Sequence, residues 1–267
     1  MKVGYSGTEG AFAHIATKKL FPVDLHIAYP DFSRAYKAVE NGECDFAVLP
    51  IENSYHGEVG QVMDLLFSGS LVVTRTLDLK VSQNLLAVPG ATLDDIKEVV
   101  SHPQGLGQCA EYLCEKGFKQ SDYVNTALAA KYVSEKGDKS IAAISSVEAA
   151  ELYGLEVLER DINASDNNTT RFVVCSKTQE VRATEDNEHA IMMFSVKNIA
   201  GALGKAIEII GKYGFNMTAI RSRPMKGLLW QYYFYIEIEG DIYSGGGKEM
   251  LQEISSYCDN LKVVGTY

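Results

Sequence analysis

The chain has 267 residues, a formal net charge of -10, and 46% hydrophobic against 22% charged side chains. That is an ordinary globular balance, enough to bury a sizeable core in roughly one to three domains. The acidic excess argues against a general nucleic-acid binder, whose footprint is a basic face, but a few local donors can still hold an anion. Cys44, Cys109, Cys114, Cys175 and Cys258 show neither zinc spacing nor a disulfide framework and read as reduced thiols of a cytosolic protein. His14, His26, His56, His102 and His189 are scattered, so no metal centre is expected. The start goes straight into a strand pattern, so no signal peptide is expected, and no apolar run has the length of a membrane span.

Apolar spacing and turn residues set the expected elements. Residues 2–6 read as a strand, and 10–20 as a helix stopping before Pro22. Asp31 caps a helix that runs to Asn41, with Gly42 as its stop. Residues 45–51 read as a buried strand, 59–67 as a helix and 71–79 as an extended segment. A second series follows: strand 84–88, a helix near 93–99, a strand into Ser101, helices near 104–116 and 127–135, and strand 140–144. Residues 155–161 and 171–176 return as strands. Alternating strands and helices imply one or two mainly parallel sheets, and two such series imply two lobes with a cleft. Residues 177–188 are polar and aperiodic, which makes them the best linker candidate. Beyond them come strand 190–196, a helix 199–213 capped by Asn198, strand 215–223 ending at Pro224, an alternating strand over 228–239, helix 248–258 and strand 261–264. The order βαββαβ is the ferredoxin-like arrangement.

Three polar clusters stand beside strand ends, where open α/β sheets bind ligands. Pro50-Ile51-Glu52-Asn53-Ser54 reads either as a ligand wall or as a proline turn with local hydrogen bonds. Ser101-His102-Pro103-Gln104 opens a helix on which Gln104 and Gln108 share a face. Its first N–H groups suit an anion, and a simply capped helix fits equally well. Asn125-Thr126 reads mainly as another cap. Asn168-Thr169-Thr170-Arg171-Phe172 sets two hydroxyls and a guanidinium at the start of an apolar run. A hydroxyl donates a proton or hydrogen bond, and a guanidinium clamps carboxylates. The same residues also fit a turn (Asp166-Asn167-Asn168) leading into an ordinary strand. No phosphate-cradling or dinucleotide glycine pattern is present, nor a serine elbow, so a reaction without cofactor or covalent intermediate is expected.

Taken together, these motifs resemble prephenate dehydratase with a C-terminal ACT regulatory domain, over essentially the whole chain. The matching residues are Pro50 to Ser54 with Gly57 and Val59, Ser101 to Gln104 with Gln108-Cys109, Ala142-Ala143-Ile144 with Tyr153-Gly154-Leu155, and Asn168-x-Thr170-Arg171-Phe172. Gly201-Ala202-Leu203 and Ser222-Arg223-Pro224 match the two ACT motifs. The resemblance implies an α/β fold: a two-lobed, periplasmic-binding-protein-like catalytic domain over 1–176, with lobes about 1–78 plus 160–176 and 79–159. A linker over 177–188 and a ferredoxin-like βαββαβ ACT domain over 189–267 would follow.

It further implies that prephenate loses carbon dioxide and its ring hydroxyl to give phenylpyruvate, driven by aromaticity. Thr170 would act on the departing oxygen, while Arg171 and the segment Ser101–Gln104 would meet carboxylates. Asn53, Gln104 and Gln108 would orient the ring, and Glu52 would hold a donor or act as an acid raised by burial. Ser54, Thr126, Phe172 and Thr8 would line the substrate. L-phenylalanine would bind as feedback inhibitor at Asn198, Gly201, Ala202, Leu203, Asn216, Ser222, Arg223 and Pro224. The resemblance implies a cytoplasmic homodimer or homotetramer with no cofactor, no nucleic-acid partner, no membrane contact and no fused mutase segment. The chain departs from the family pattern at Thr8, usually Pro, at Ala11 and Ala13, usually hydroxyls, and at Arg221, usually Glu. The rival readings are arogenate dehydratase, which accepts an amino group in place of the keto group, and a non-catalytic two-lobed ligand sensor.

Overall fold

The computed structural model describes residues 1–164, 167–178, 189–243 and 245–267. Its strands are β1 (Lys2–Ser6), β2 (Leu25–Tyr29), β3 (Phe46–Asn53), β4 (Gly57–Glu58), β5 (Val72–Lys80), β6 (Asn84–Ala87), β7 (Glu98–Ser101), β8 (Lys119–Asp122), β9 (Ile141–Ser145), β10 (Glu156–Glu159), β11 (Thr169–Ser176), β12 (His189–Ser195), β13 (Asn216–Pro224), β14 (Tyr232–Glu239) and β15 (Asn260–Thr266). Its α-helices are α1 (Phe12–Leu20), α2 (Phe32–Glu40), α3 (Gly60–Ser68), α4 (Pro103–Gln108), α5 (Ala110–Lys116), α6 (Thr126–Lys136), α7 (Val147–Tyr153), α8 (Ala202–Lys212) and α9 (Gly247–Ser255). They form two compact units whose segments interleave along the chain. One holds Met1–Ala35, Val48–Glu58 and Leu77–Phe172, and the other Tyr36–Ala47, Val59–Thr76 and Val173–Tyr267.

In the first unit β1 runs parallel to β2, and the strand order there is β11-β3-β1-β2. A separate sheet has the order β10-β6-β9-β7-β8. Its β7 pairs are parallel, but β6 meets both β9 and β10 antiparallel. This sheet is therefore mixed, not mainly parallel. Its core combines branched residues (Leu85, Leu86, Val99, Val100, Ile144) with alanines of α6 and β9 (Ala129, Ala130, Ala142, Ala143), all nearly inaccessible. Alanines at such positions let helix backbones lie close to the sheet.

In the second unit β12, β13, β14 and β15 form an antiparallel sheet in the order β13-β14-β12-β15. With α8 and α9 this is the expected ferredoxin-like βαββαβ unit. Its core holds Met192, Phe194, Ile209, Ile210, Ile236, Ile238 and Met250. β15 also meets β5 through Gly265 opposite Val73. A Cβ at Gly265 would stand 1.9 Å from the Val73 carbonyl oxygen, so only glycine allows that approach.

Several expected boundaries shift for local reasons. The helix near 93–99 is only a 3-10 turn, Leu93–Asp95, closed by reciprocal Thr92 and Asp95 bonds. The chain then leaves at Ile96 for β7, which the β-branched pair Val99-Val100 favours. The helix 104–116 breaks at Cys109 into α4 and α5. Asn198 does not cap α8: its amide donates to the Trp230 carbonyl (3.3 Å), and the helix starts later, behind Gly201 at φ +82°. Within the expected linker, residues 179–188 lie outside the described residues, as does Asp166 of the expected turn.

Candidate active site

β3 carries Glu52 and Asn53 to its carboxyl end, where the short hairpin with β4 turns them back. Asn53 is the hub of the site. Its Nδ2 donates to Thr170 Oγ1 (2.9 Å), Asn168 Oδ1 (2.9 Å) and the Thr169 carbonyl (3.2 Å). Its Oδ1 accepts from the backbone N–H groups of Tyr55 (3.0 Å) and His56 (2.9 Å). Both ends of the amide are thereby fixed. Because Thr170 Oγ1 receives an N–H, the hydroxyl keeps its own proton for another acceptor. Ser54 clips the same turn: its hydroxyl donates to the Asn167 carbonyl (2.7 Å) and accepts from Thr169 N–H (3.0 Å). Glu52 is half-buried and stands opposite Glu58 in the hairpin.

Asn168 is 2% exposed and accepts the Val81 N–H at its carbonyl (2.7 Å). Two residues on, Gln83 is 3% exposed and donates its Nε2 to Gln108 Oε1 (3.0 Å). The Gln83 backbone N–H donates to Asn163 Oδ1 (3.0 Å), and its carbonyl accepts from Ile162 N–H (2.9 Å). Hydrogen bonds and a few residues of chain thus run from Thr170 through Asn53, Asn168 and Val81 to Gln83 and Gln108. The loop after β1 joins through Ser146, whose hydroxyl donates to the Gly10 carbonyl (3.2 Å). The Gly10 N–H donates to His14 Nδ1 (3.1 Å), and burial holds that imidazole below its ordinary pKa. Buried side-chain atoms without a hydrogen-bond partner include Thr8 Oγ1, Gln83 Oε1, Ser145 Oγ and Asn168 Nδ2.

Several residues expected to bind substrate do something else. The Ser101 hydroxyl is fully buried and donates to the Ile144 carbonyl (2.7 Å), so it pins β7 to β9 instead of meeting a carboxylate. The start of α4 is capped by His102 Nδ1, which accepts the Gln104 N–H (3.2 Å), and the helix is only 6 residues long. It offers no anion site of the expected kind. Gln104 is exposed while Gln108, four residues on in the same helix, is buried. Phe172, 2% exposed, is a core side chain, the first of the continuously buried run Phe172–Ser176 that ends β11. Arg171 spends two donors on Asp78, Nε to Oδ1 (2.8 Å) and Nη2 to Oδ2 (3.2 Å), and is not an open clamp. Thr126 begins α6, whose cap is Asn125, accepting the Leu128 N–H (2.7 Å). Gln83 and Ser145 escaped the sequence reading; the only sign of the first was the polar run Ser82-Gln83-Asn84 before apolar β6.

Residues 3–180 match the family model described as prephenate dehydratase. The chain belongs to the prephenate dehydratase family. It is 32% identical over 281 residues to an Arabidopsis thaliana protein named arogenate dehydratase/prephenate dehydratase 1, chloroplastic, covering 100% of this chain and 72% of that one. A solved structure described as GqqA, a novel type of quorum quenching acylase, is 29% identical, with a TM-score of 0.91 over 100% of this chain and 97% of its own. A prephenate dehydratase from Arthrobacter aurescens in complex with L-Phe is 25% identical, with a TM-score of 0.91 over 100% of this chain and 89% of its own. Among the described residues no helix is long and apolar enough to cross a membrane, and no group of three His, Cys, Asp or Glu is placed to hold a metal.

The prephenate dehydratase match ends ahead of the ferredoxin-like strands, where the expected phenylalanine ligands lie. Gly201 precedes α8, Ala202 and Leu203 form its first turn, and no side chain caps that start. Asn216, Ser222 and Pro224 lie on the exposed side of β13, with Asn216 Nδ2 donating to Glu239 Oε2 (2.8 Å). Arg223 departs from expectation. It points to the opposite side and donates to both Asp64 oxygens, Nε to Oδ1 (2.9 Å) and Nη2 to Oδ2 (3.3 Å).

Proposed function

We propose that this chain converts prephenate to phenylpyruvate, carbon dioxide and water in L-phenylalanine biosynthesis, as a cofactor-free cytoplasmic enzyme. The bond from Asn53 Nδ2 to Thr170 Oγ1 carries the mechanistic reading. It fills a lone pair of the hydroxyl and leaves the proton to be donated to the ring oxygen as that oxygen departs. Threonine is a poor acid, so its role is a hydrogen bond or relay that strengthens as charge develops, worth about 10²–10⁴ in rate. Aromatisation supplies the driving force. Asn168 Nδ2, buried with both protons unused, is a second donor for a substrate oxygen. Arg171, steadied by Asp78, contributes positive charge beside Thr170.

On this reading residues 1–176 form a two-lobed catalytic domain and 189–267 an ACT regulatory domain that binds L-phenylalanine. The uncapped start of α8 supports the second part, since its open N–H groups and dipole suit an amino-acid carboxylate. Phenylalanine inhibits by favouring a less active state. Exposed Ile199, Leu229 and Trp230 (67%, 87% and 76%) support self-association to a homodimer or homotetramer.

The test is phenylpyruvate formation from prephenate, with and without L-phenylalanine, for the wild type and Thr170→Ala. The wild type turns over and is inhibited, while the variant keeps its fold and loses about 10²–10⁴ in kcat. A wild type that releases no phenylpyruvate, or a variant that still does at full rate, sinks the proposal. A parallel acyl-amide hydrolysis assay separates it from the activity ascribed to GqqA.

A further inference from the structure

We infer that His14 is a proton-sensitive latch: as neutral imidazole it holds the loop after β1 against α7, and as imidazolium it releases that loop. The link to catalysis rests on the dehydratase reading above. The Gly10 N–H donates to His14 Nδ1 (3.1 Å). A backbone N–H only donates, so Nδ1 carries a lone pair and the ring proton sits on Nε2. Protonation fills Nδ1 and sets donor against donor. This bond therefore belongs to the neutral ring alone.

The loop that it fixes ties two parts of the first unit together. The loop leaves β1, whose neighbour in the sheet is β3, the strand that carries Asn53. Its start is held by the Gly7 N–H on the Tyr29 carbonyl (2.8 Å). Its far side meets α7, which follows β9 of the five-stranded sheet. The Ser146 hydroxyl donates to the Gly10 carbonyl (3.2 Å), and the Tyr153 hydroxyl to the Glu9 carbonyl (3.1 Å). Gly10 has φ +85°, and a Cβ there would stand 3.3 Å from the Leu152 side chain and 3.5 Å from that of Ala149. Gly10 thus gives its N–H to His14 and its carbonyl to Ser146, so losing the first bond loosens the second.

The surroundings set where the latch opens. Tyr5 of β1 lies 5.1 Å from the His14 ring and His26 of β2 5.8 Å. Tyr153 reaches the same loop from α7. Burial lowers the His14 pKa most, Glu9 of the loop opposes it, and His26 and Lys18 of α1 lower it further. His14 also lies in the first turn of α1, where the helix dipole disfavours a cation. The latch is closed at neutral pH and opens as pH falls below the ordinary imidazole value of about 6.5. The unfolded chain takes up the proton first, so stability falls with acid over the same range.

The experiment follows two quantities against pH: kcat/KM for prephenate, and protection of the Gly10 amide against hydrogen exchange relative to an unfolded chain. It uses the wild type, His14→Asn and His14→Phe. Asparagine sets an acceptor that does not titrate where Nδ1 stands, while phenylalanine keeps a ring and removes the acceptor. In the wild type both quantities fall together as the imidazole, followed by NMR, takes up its proton. In His14→Asn both stay level through that range. In His14→Phe both are low at every pH, with kcat/KM about threefold to tenfold below wild type near neutrality. This last arm decides the matter if the Asn variant fails to fold, and a wild-type acid limb in it overturns the inference. Equal Gly10 protection on both sides of the His14 titration overturns the latch. An acid limb of kcat/KM that persists unchanged in His14→Asn overturns its link to catalysis. No phenylpyruvate at any pH overturns the dehydratase reading, and Gly10 protection then still decides the latch.

Discussion

At the scale of single residues the site depends on which atom donates to which. Asn53 gives its N–H to Thr170 and takes N–H groups from Tyr55 and His56 on its oxygen. Asn53→Asp preserves shape and the second set of bonds. It turns the first around, because a carboxylate oxygen facing Thr170 draws the hydroxyl proton inward, away from the substrate. Asn53→Ala removes the partner but leaves that proton available. The expected order of kcat is therefore wild type, then Ala, then Asp, with Asp slower by about 10²-fold or more and KM changed less than kcat. Steady-state phenylpyruvate formation checks this. An Asp variant faster than Ala would show that Asn53 acts by packing alone.

At the scale of elements the antiparallel sheet of the second unit grips α3, a helix of the same unit. Asp64 accepts Arg223, the Tyr233 hydroxyl (2.6 Å) and Lys226 (3.1 Å), Phe67 stacks on Tyr233 at 4.1 Å, and Lys262 donates to the carbonyls of Leu66 and Gly69 (both 2.6 Å). A Cβ at Gly60 would stand 2.1 Å from Arg223 Nη1, so a side chain there would push the guanidinium away from Asp64. Burial pushes the Asp64 carboxyl up, but hydrogen bonds from Arg223, Tyr233 and Lys226 outweigh it and hold the pKa below the usual value. A depressed folded pKa stabilises above the unfolded value and is lost as pH falls through the folded one. Asp64→Asn accordingly costs about 2 kcal/mol near neutral pH, and the gap from wild type closes below about pH 4 in urea unfolding. A gap that persists at low pH would assign the loss to packing. This grip also marks a limit of the sequence. Asp31 and Gly42 bound α2 as their residue types demand, and the βαββαβ order followed from periodicity. Arg223 was expected to hold phenylalanine because Ser222-Arg223-Pro224 matches an ACT motif, and no local pattern could reveal its partner Asp64, which lies 159 positions away. β8, with the polar sequence Lys-Gln-Ser-Asp, and the short α7 carry too little apolar pattern to be seen locally. Gln83 was hidden for a related reason, since an unfilled acceptor exists only after tertiary folding.

At the scale of the whole molecule, charge and chemistry pull in opposite directions. The chain carries -10, and its proposed substrate prephenate brings two carboxylates. On the proposed reading, local donors, Thr170 and the Asn168 amide, would hold the substrate once it arrives, over short distances where salt screens little. The approach is governed by the long-range field, which repels an anion and which salt does screen, over about 10 Å at 0.1 M. These two effects separate experimentally. Raising ionic strength from about 0.01 to 0.15 M weakens the repulsion, so kcat/KM for prephenate rises by roughly twofold while kcat stays nearly constant. Arogenate, with an ammonium that cancels one charge, responds less. A kcat/KM that falls steeply with salt for both substrates would instead place a cationic funnel at the site, and Arg171 would then act as an open carboxylate clamp after all.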